Sequence, residues 1–278
     1  MANQLASVVD RLVGGPEDAS MTEIIPIPAF ADNYIWLLRH GDTAAIVDPG
    51  DAAPVIAYLD RERIAPCAVL ATHHHGDHVG GIPALLARWP VPVFGPAREK
   101  IPGRTQALAG GDRIVVPGID ATFDVIDVPG HTAGHIALFG EFGGEPVLFC
   151  GDTLFTGGCG RLFEGTPAQM WTSLSALAAL PPETRVYCGH EYTVANLRFA
   201  LAVEPANAKL RARDVVAQAK RARGEPTVPS TMGEERATNP FLRANVADVK
   251  AAAAAQAGHA TDDDIASFAA LREWKNKF

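Results

Sequence analysis

Short apolar runs broken by turn residues dominate the first two-thirds of the chain. Residues 24–28, 34–39 and 43–47 have strand length, and the third run ends at Asp48-Pro49-Gly50, a turn signal. Residues 68–71 form a short continuous apolar run of the kind that fills the middle of a sheet, and 91–94 form another. Further strands are expected over 110–116, 122–128, 136–139, 146–150 and 185–188, with Gly or Pro between them. Helical spacing interrupts the pattern at 53–63, at 83–88 and at 167–180, where Pro167 suits a first turn. From Tyr192 onward the character changes. Residues 192–223 read as one helix rich in Ala, Leu, Arg and Lys, and 224–240 as a loop with Pro226, Pro229 and Gly233. Two more helices are expected at 246–258 and 262–276, the second with Thr261 as N-cap and Asp262, Asp263 and Asp264 in its first turn. The pattern therefore predicts an α/β (α+β) body over 21–190 and a helical region over 191–278.

Composition narrows the class. Hydrophobic residues make up 47% and charged residues 20%, the ordinary globular mixture, which excludes a disordered chain, collagen and a disulfide miniprotein. The net charge of −8 argues against nucleic acid as a partner, since that binding needs a basic face. No run of about 18 apolar residues exists to span a membrane. Residues 1–20 are interrupted by Asp10, Arg11, Glu17 and Asp18 and lack a signal-peptide core, so they are expected to be a disordered N-terminal extension or a misplaced start. Without an export signal, Cys67, Cys150, Cys159 and Cys188 are expected to be reduced thiols in the cytoplasm. Cys150 and Cys188 end apolar runs and read as small buried residues rather than nucleophiles.

The chemistry concentrates in THHHGDHVGG, residues 72–81. Imidazole and carboxylate are ligands for borderline to hard divalent ions. In an extended segment residues two apart face one side, so His73 and His75 can share one metal. A turn at Gly76 then aims Asp77 and His78 at a second position. His74 falls on the opposite face, as a supporting group or hydrogen-bond donor. Further ligands are needed to complete two sites, and candidates stand where apolar runs end: His131 in DVPGHTAGH, Asp152 in LFCGDTLF and His190 in VYCGHEYT. Each follows a Gly, which permits a tight turn and close approach. His135 is expected to help position the His131 loop.

This arrangement resembles the metallo-β-lactamase superfamily and, within it, the hydroxyacylglutathione hydrolase (glyoxalase II) family. THHHGDHVGG, PGHTAGH, CGDTLF, GCGR, EGT, GHEYT and NPFLR stand in that family's order and spacing from about Met21 to the C-terminus. The resemblance implies an αβ/βα sandwich of two mixed sheets with outer helices, followed by a C-terminal helical substrate-binding domain. It implies that His73, His75 and His131 hold a first metal, that Asp77, His78 and His190 hold a second, and that Asp152 bridges them with a water or hydroxide. Asp77 and Asp152 would then be the catalytic carboxylates, with two divalent ions per chain, zinc first and iron or manganese as alternatives. Asp48 resembles the superfamily's carboxylate that orients a ligand histidine, although an Asx turn before Pro49 explains it equally well.

The implied substrate is a glutathione thioester, hydrolysed to glutathione and a 2-hydroxy acid. Its expected contacts are Arg161, Phe163 and Tyr192, together with Arg272 and Lys275, whose i,i+3 spacing places them on one helix face. The family commonly has Lys and Tyr where Arg161 and Phe163 stand; the charge is kept and one hydroxyl is lost. The basic run Lys209, Arg211, Arg213, Lys220, Arg221 and Arg223 reads as a solvated helix face. A monomer is expected. Rival readings are a mononuclear-iron glutathione persulfide dioxygenase, which largely lacks the helical region; a β-lactamase, in which Arg272 and Lys275 have no explanation; and a non-catalytic metal-binding module, which an intact set of seven ligands argues against.

Overall fold

The structure is a computed structural model that describes residues 21–278; the expectation for residues 1–20 lies outside the described residues. Two six-stranded mixed sheets face each other. The first runs β1 (Thr22–Ala29), β2 (Asn33–His40), β3 (Thr43–Val47), β4 (Ala65–Leu70), β5 (Val93–Pro96) and β6 (Gln106–Leu108) in that spatial order. Helices α1 (Ala52–Glu62), α2 (Gly76–Val79) and α3 (Ile82–Arg88) connect its parallel half. The second sheet contains β7 (Arg113–Val116), β8 (Ala121–Asp127), β9 (Ile136–Phe142), β10 (Glu145–Gly151), β13 (Arg185–Cys188) and β14 (Ser230–Thr231), with β14 at one edge and β7 at the other. A small hairpin, β11 (Leu154–Phe155) and β12 (Gly158–Cys159), and helix α4 (Pro167–Ala178) lie between β10 and β13. This is the expected αβ/βα sandwich.

Local chemistry explains the elements. β2 is buried along most of its length, as a strand inside a layered fold must be. In β8, Ala121, Phe123 and Val125 are buried while Thr122, Asp124 and Ile126 between them are less so, a period of two. The α1 N-terminus is capped by Asp51, whose carboxylate accepts from the Ala53 N–H. At α4, Thr166 and Gln169 form a capping box and Pro167 takes the first helical position, as the sequence predicts.

Helices α5 (Thr193–Val203), α6 (Ala208–Ala222), α7 (Met232–Thr238), α8 (Ala247–Ala257) and α9 (Asp264–Lys277) follow β13. The single helix expected over 192–223 is two, broken where Pro205 has no N–H to donate and disfavours helix at Glu204. The loop expected over 224–240 contains β14 and α7, which Thr231 caps by accepting from the Glu234 N–H. The last helix is capped by Asp263, not Thr261, because the Asp263 carboxylate accepts from the Ala266 N–H at 2.7 Å. Thr261 instead accepts at its hydroxyl from Ser267.

The hydrophobic core continues from the facing sheets into these helices: Phe123 and Phe149 share one cluster with Phe199, Phe241, Phe268 and Leu271. Each fully buried phenylalanine stabilises the fold by about 2–3 kcal/mol. Arg213 departs from the expected solvated face. It is buried, paired with Glu235, and donates to Thr238 Oγ1 at 2.6 Å. Glu235 also accepts the Gly157 N–H at 2.9 Å, and Asn239 Nδ2 donates to the Phe155 and Gly158 carbonyls. The helices thereby grip the β11–β12 hairpin. No helix among the described residues is long and apolar enough to cross a membrane.

Candidate active site

The site lies at one rim of the sandwich, where several strands end. β4 leads into residues 71–75, β8 into the His131 loop, β10 into Asp152 and β13 into His190. His73 and His75 face the same side with ring centroids 4.8 Å apart, and the one-turn helix α2 then carries Asp77 and His78 round to a neighbouring position. Ligand-capable atoms of His73, His75 and His131 lie within 4.8 Å of one another, as do those of Asp77, His78 and His190. Asp152 stands between the two groups. Its Oδ2 is 3.4 Å from His131 Nε2 and 3.3 Å from His190 Nε2, and its Oδ1 is 3.2 Å from His78 Nε2.

Glycine makes this crowding feasible at two places. A Cβ on Gly189 would lie 2.6 Å from His78 Cε1 and 2.7 Å from Asp152 Oδ1. Gly151, at φ +46°, occupies the left-handed region, and a Cβ there would meet Thr72 Oγ1 at 2.3 Å.

The donor set fits divalent metal ions. Nε2 of His73 is buried without a hydrogen-bond partner, and the buried Nε2 of His78 and Oδ1 of Asp152 face each other at 3.2 Å without the alignment of a hydrogen bond. Each such atom left unpaired costs about 1–3 kcal/mol, a cost that cations between them would remove. Burial, reinforced by His78 and His135, holds His73 well below the usual imidazole range, so it is neutral as a ligand must be. Burial also pushes on His78 and Asp152, but here their mutual attraction wins: His78 is held well above its usual range and Asp152 well below.

Supporting groups fix these rings. Asp48 accepts from the Thr72 N–H at 2.8 Å and from the Thr72 hydroxyl at 2.7 Å, and its Oδ2 lies 3.1 Å from His78 Nδ1. The orienting reading of Asp48 therefore describes its contacts better than an Asx turn. His135 is pushed down to about 3, chiefly by burial and then by His131, so its ring is neutral. Its Nε2 accepts the Asp152 N–H at 3.1 Å, and its ring stacks on His73. Its side chain thus supports Asp152 and His73, and its carbonyl accepts the Val128 N–H at 2.8 Å, closing the loop that carries His131. His74 points away from the seven. Its Nδ1 is 3.0 Å from Glu99 Oε2 and its Nε2 is 3.4 Å from Glu164 Oε1. Glu99, Glu164, Asp32 and Asn33 also brace the site, and sequence reasoning passed over all four.

A cavity of about 690 Å³ opens over His75, Asp77, His131, Asp152 and His190. Arg161, Phe163, Tyr192, Arg272 and Lys275 all line it. Phe163 is 62% exposed, with its ring centroid 5.2 Å from that of His131. Tyr192 stacks on His190 with ring planes 4° apart. Arg272 is only 6% exposed and donates to the Cys159 carbonyl at 2.9 Å, unlike a solvated helix end. Lys275 Nζ donates to the Ala195 carbonyl at 3.0 Å. Cys150, Cys159 and Cys188 are buried free thiols, and Cys67 is partly buried.

This fold, with its rim of histidines and aspartates, defines a metallo-β-lactamase-type protein, and the superfamily model matches residues 30–190. Residues 191–278 match a second model, the hydroxyacylglutathione hydrolase C-terminus. The hydroxyacylglutathione hydrolase of Alkalilimnicola ehrlichii is 59% identical over 92% of this chain and all of its own length. That of Cupriavidus taiwanensis is 55% identical over 93% of this chain and all of its own. The crystal structure of TTHA1623 in a di-iron-bound form superposes with a TM-score of 0.56 at 28% identity, covering 78% of this chain and all of that one. The chain belongs to the hydroxyacylglutathione hydrolase family of the metallo-β-lactamase superfamily.

Proposed function

We propose that the protein hydrolyses S-(2-hydroxyacyl)glutathione, with S-D-lactoylglutathione as the substrate, to glutathione and D-lactate, the second step of methylglyoxal detoxification. The observation that carries this reading is one cavity that joins seven His and Asp side chains to two cations from the last helix. His73, His75 and His131 would hold one divalent ion, Asp77, His78 and His190 would hold the other, and Asp152, which stands between the two groups, would serve both. When bound, two such ions, zinc first with iron or manganese as alternatives, bring a shared water near neutral pKa and polarise the thioester carbonyl.

The chain's own residues supply the rest. Asp77 is held below the usual carboxylate range because His78 and the Asn33 hydrogen bond outweigh its burial, so it is an anion that can accept a hydrogen bond from water. Asp77 and Asp152 thus orient the attacking water against the cleft. Arg272 and Lys275 face the carboxylates of glutathione, with Arg161 and Tyr192 at the cavity wall. The exposed ring of Phe163 offers an apolar surface where the family's tyrosine would offer a hydroxyl. The leaving group is a thiolate, whose conjugate acid has a pKa of about 8.5, so it departs without a strong general acid. All these groups come from one chain, so the reading needs no second copy, and a monomer in the cytoplasm satisfies it.

The persulfide dioxygenase reading is the weaker one, because residues 191–278 match a hydrolase C-terminus and contribute Arg272 and Lys275 to the cavity. The test is metal analysis of the purified protein alongside thiol release from S-D-lactoylglutathione. Two divalent ions per chain, and activity that falls with chelation and returns on reloading, are expected. Oxygen uptake with glutathione persulfide in place of thiol release would overturn the assignment.

A further inference from the structure

Every member of the Asp77–His78–His190 group has a side chain behind it. Asp48 stands behind His78. The other two supports are Asp32, in the turn between β1 and β2, and Asn33, the first residue of β2; the reaction does not otherwise use them. Asp32 Oδ1 lies 2.8 Å from His190 Nδ1. Asn33 is buried, and its Nδ2 donates to Asp77 Oδ2 at 3.0 Å. The turn is bound to the segment it serves: the Tyr34 N–H donates to the Gly189 carbonyl, and the Glu191 N–H donates to the Asp32 carbonyl, both at 2.8 Å. Asn33 and His190 form an antiparallel bridge between the two sheets.

The His73–His75–His131 group is supported differently. His73 Nδ1 lies 3.1 Å from the Thr72 hydroxyl, and His131 Nδ1 donates to the Arg161 carbonyl at 2.9 Å. Both direct partners are neutral; a carboxylate stands one bond further off, where the Thr72 hydroxyl donates to Asp48 at 2.7 Å, and His75 Nδ1 lies 3.0 Å from His131 Nε2. A carboxylate behind an imidazole fixes its tautomer and raises the basicity of the far nitrogen more than a neutral acceptor does.

We propose that Asp32 and Asn33 are positioning residues for the Asp77–His78–His190 ion, and that this ion is held more tightly than the three-histidine ion. The proposal rests on the two-ion reading above. Asp32 fixes the His190 ring by accepting at its Nδ1 and leaves Nε2 as the ligand atom. Asn33 fixes the Asp77 carboxylate by donating to one oxygen. Neither side chain lines the cavity, so neither needs to touch substrate.

The test is titration of the metal-free full chain with Co(II), followed by metal analysis and by the exchangeable imidazole N–H signals of the paramagnetic protein. In the wild type, the three-histidine signals should vanish first on adding a chelator. Asp32→Ala should weaken one ion by about 10–100-fold and remove the two-histidine signals at limiting Co(II). Asp32→Asn keeps an acceptor at His190 Nδ1 without the charge and should restore only part of that loss. Asn33→Ala should weaken the same ion with both histidine signals intact at saturation. The urea midpoint of the metal-free protein should be unchanged in Asp32→Asn, which separates positioning from folding. Two ions bound with wild-type affinities in both alanine variants would overturn the proposal and leave the two-ion reading standing. A wild-type protein that saturates at one ion would overturn both.

Discussion

The sandwich and the helices that follow it place the residues proposed to act in the site by opposite means. The seven His and Asp side chains stand on loops and one short helical turn after strand ends, with His78, His190 and Asp77 pinned by neighbouring side chains and Asp152 held through its backbone N–H. Arg272 and Lys275 stand three residues apart on one face of a 14-residue helix that packs against α4 and α8. The difference follows from what each set must do. Ions and a water need placement to fractions of an ångström, which loops reach only when hydrogen bonds and glycine contacts over-determine them. A flexible anionic substrate needs positive charge within reach, and a regular helix supplies that without special geometry. Changes in the sandwich rim should therefore act on turnover and metal content, and changes on the helix face should act on substrate affinity.

The largest effect tests the rim. Asp152→Ala removes the one carboxylate that faces both groups, and turnover should fall by roughly 10³-fold or more, with metal content falling too. Turnover within ten-fold of wild type at full metal loading would mean that Asp152 is only a bystander between the clusters.

The next effect tests the helix face. Arg272→Ala with Lys275→Ala should raise KM for the glutathione thioester by about 10–100-fold and leave kcat nearly unchanged. A small neutral thioester should be turned over as before. The burial of Arg272 sharpens the expectation: the salt-sensitive part of the effect should reside with Lys275, because a buried guanidinium is screened little. A fall in kcat with KM unchanged would mean that the helix orders the rim and the comparison is wrong.

What was legible beforehand follows the same division. Four potential ligands within six residues, and three more at strand ends, are too dense for packing to explain, so the chemistry could be read directly. Asp32 and Asn33 could not be singled out, since the same residue types make an ordinary hairpin turn and their partners lie more than 40 residues away. The charge on Arg213 was misread because its burial depends on Glu235, 22 residues downstream, meeting it across two helices. Pro205 was present in the sequence, but the composition of 192–223 concealed the break it makes. Elements fixed by local pattern, such as β3, β13 and the capped start of α4, could be read in place.

A smaller effect tests how far the rim's support extends. His74 holds Glu99 and Glu164, which in turn accept from the Gly134 and Ala133 N–H groups beside His131. The His74 ring meets that of His75 edge-on, with centroids 5.1 Å apart, while its nitrogens face the two glutamates. His74→Ala should lower turnover by less than about ten-fold, below the usual range for a group that hydrogen-bonds a ligand directly. A loss equal to that of Asp152→Ala would place His74 among the residues that hold the ions.

The smallest effect is one of pH, and it belongs to the helix face alone. Burial of Lys275, followed by the neighbouring charges of Arg272 and Arg198, pushes its ammonium down to about 8. Below that pH the group is charged and attracts a substrate carboxylate; above it the attraction is lost. KM for the glutathione thioester should therefore rise by about three-fold between pH 7 and pH 9, a modest charge contribution at a half-exposed site. Lys275→Arg keeps its charge across this range and should flatten the rise. Folding stability moves the other way. The unfolded lysine keeps its proton up to its ordinary 10.5, so between about 8 and 10.5 the unfolded chain binds more protons, and this group's contribution to stability grows with pH. On the proposed function, ionisations at the rim would reach kcat through the attacking water, whereas Lys275 would act before chemistry on binding. Parallel KM profiles in the wild type and Lys275→Arg would move the pH dependence off the helix and onto the rim.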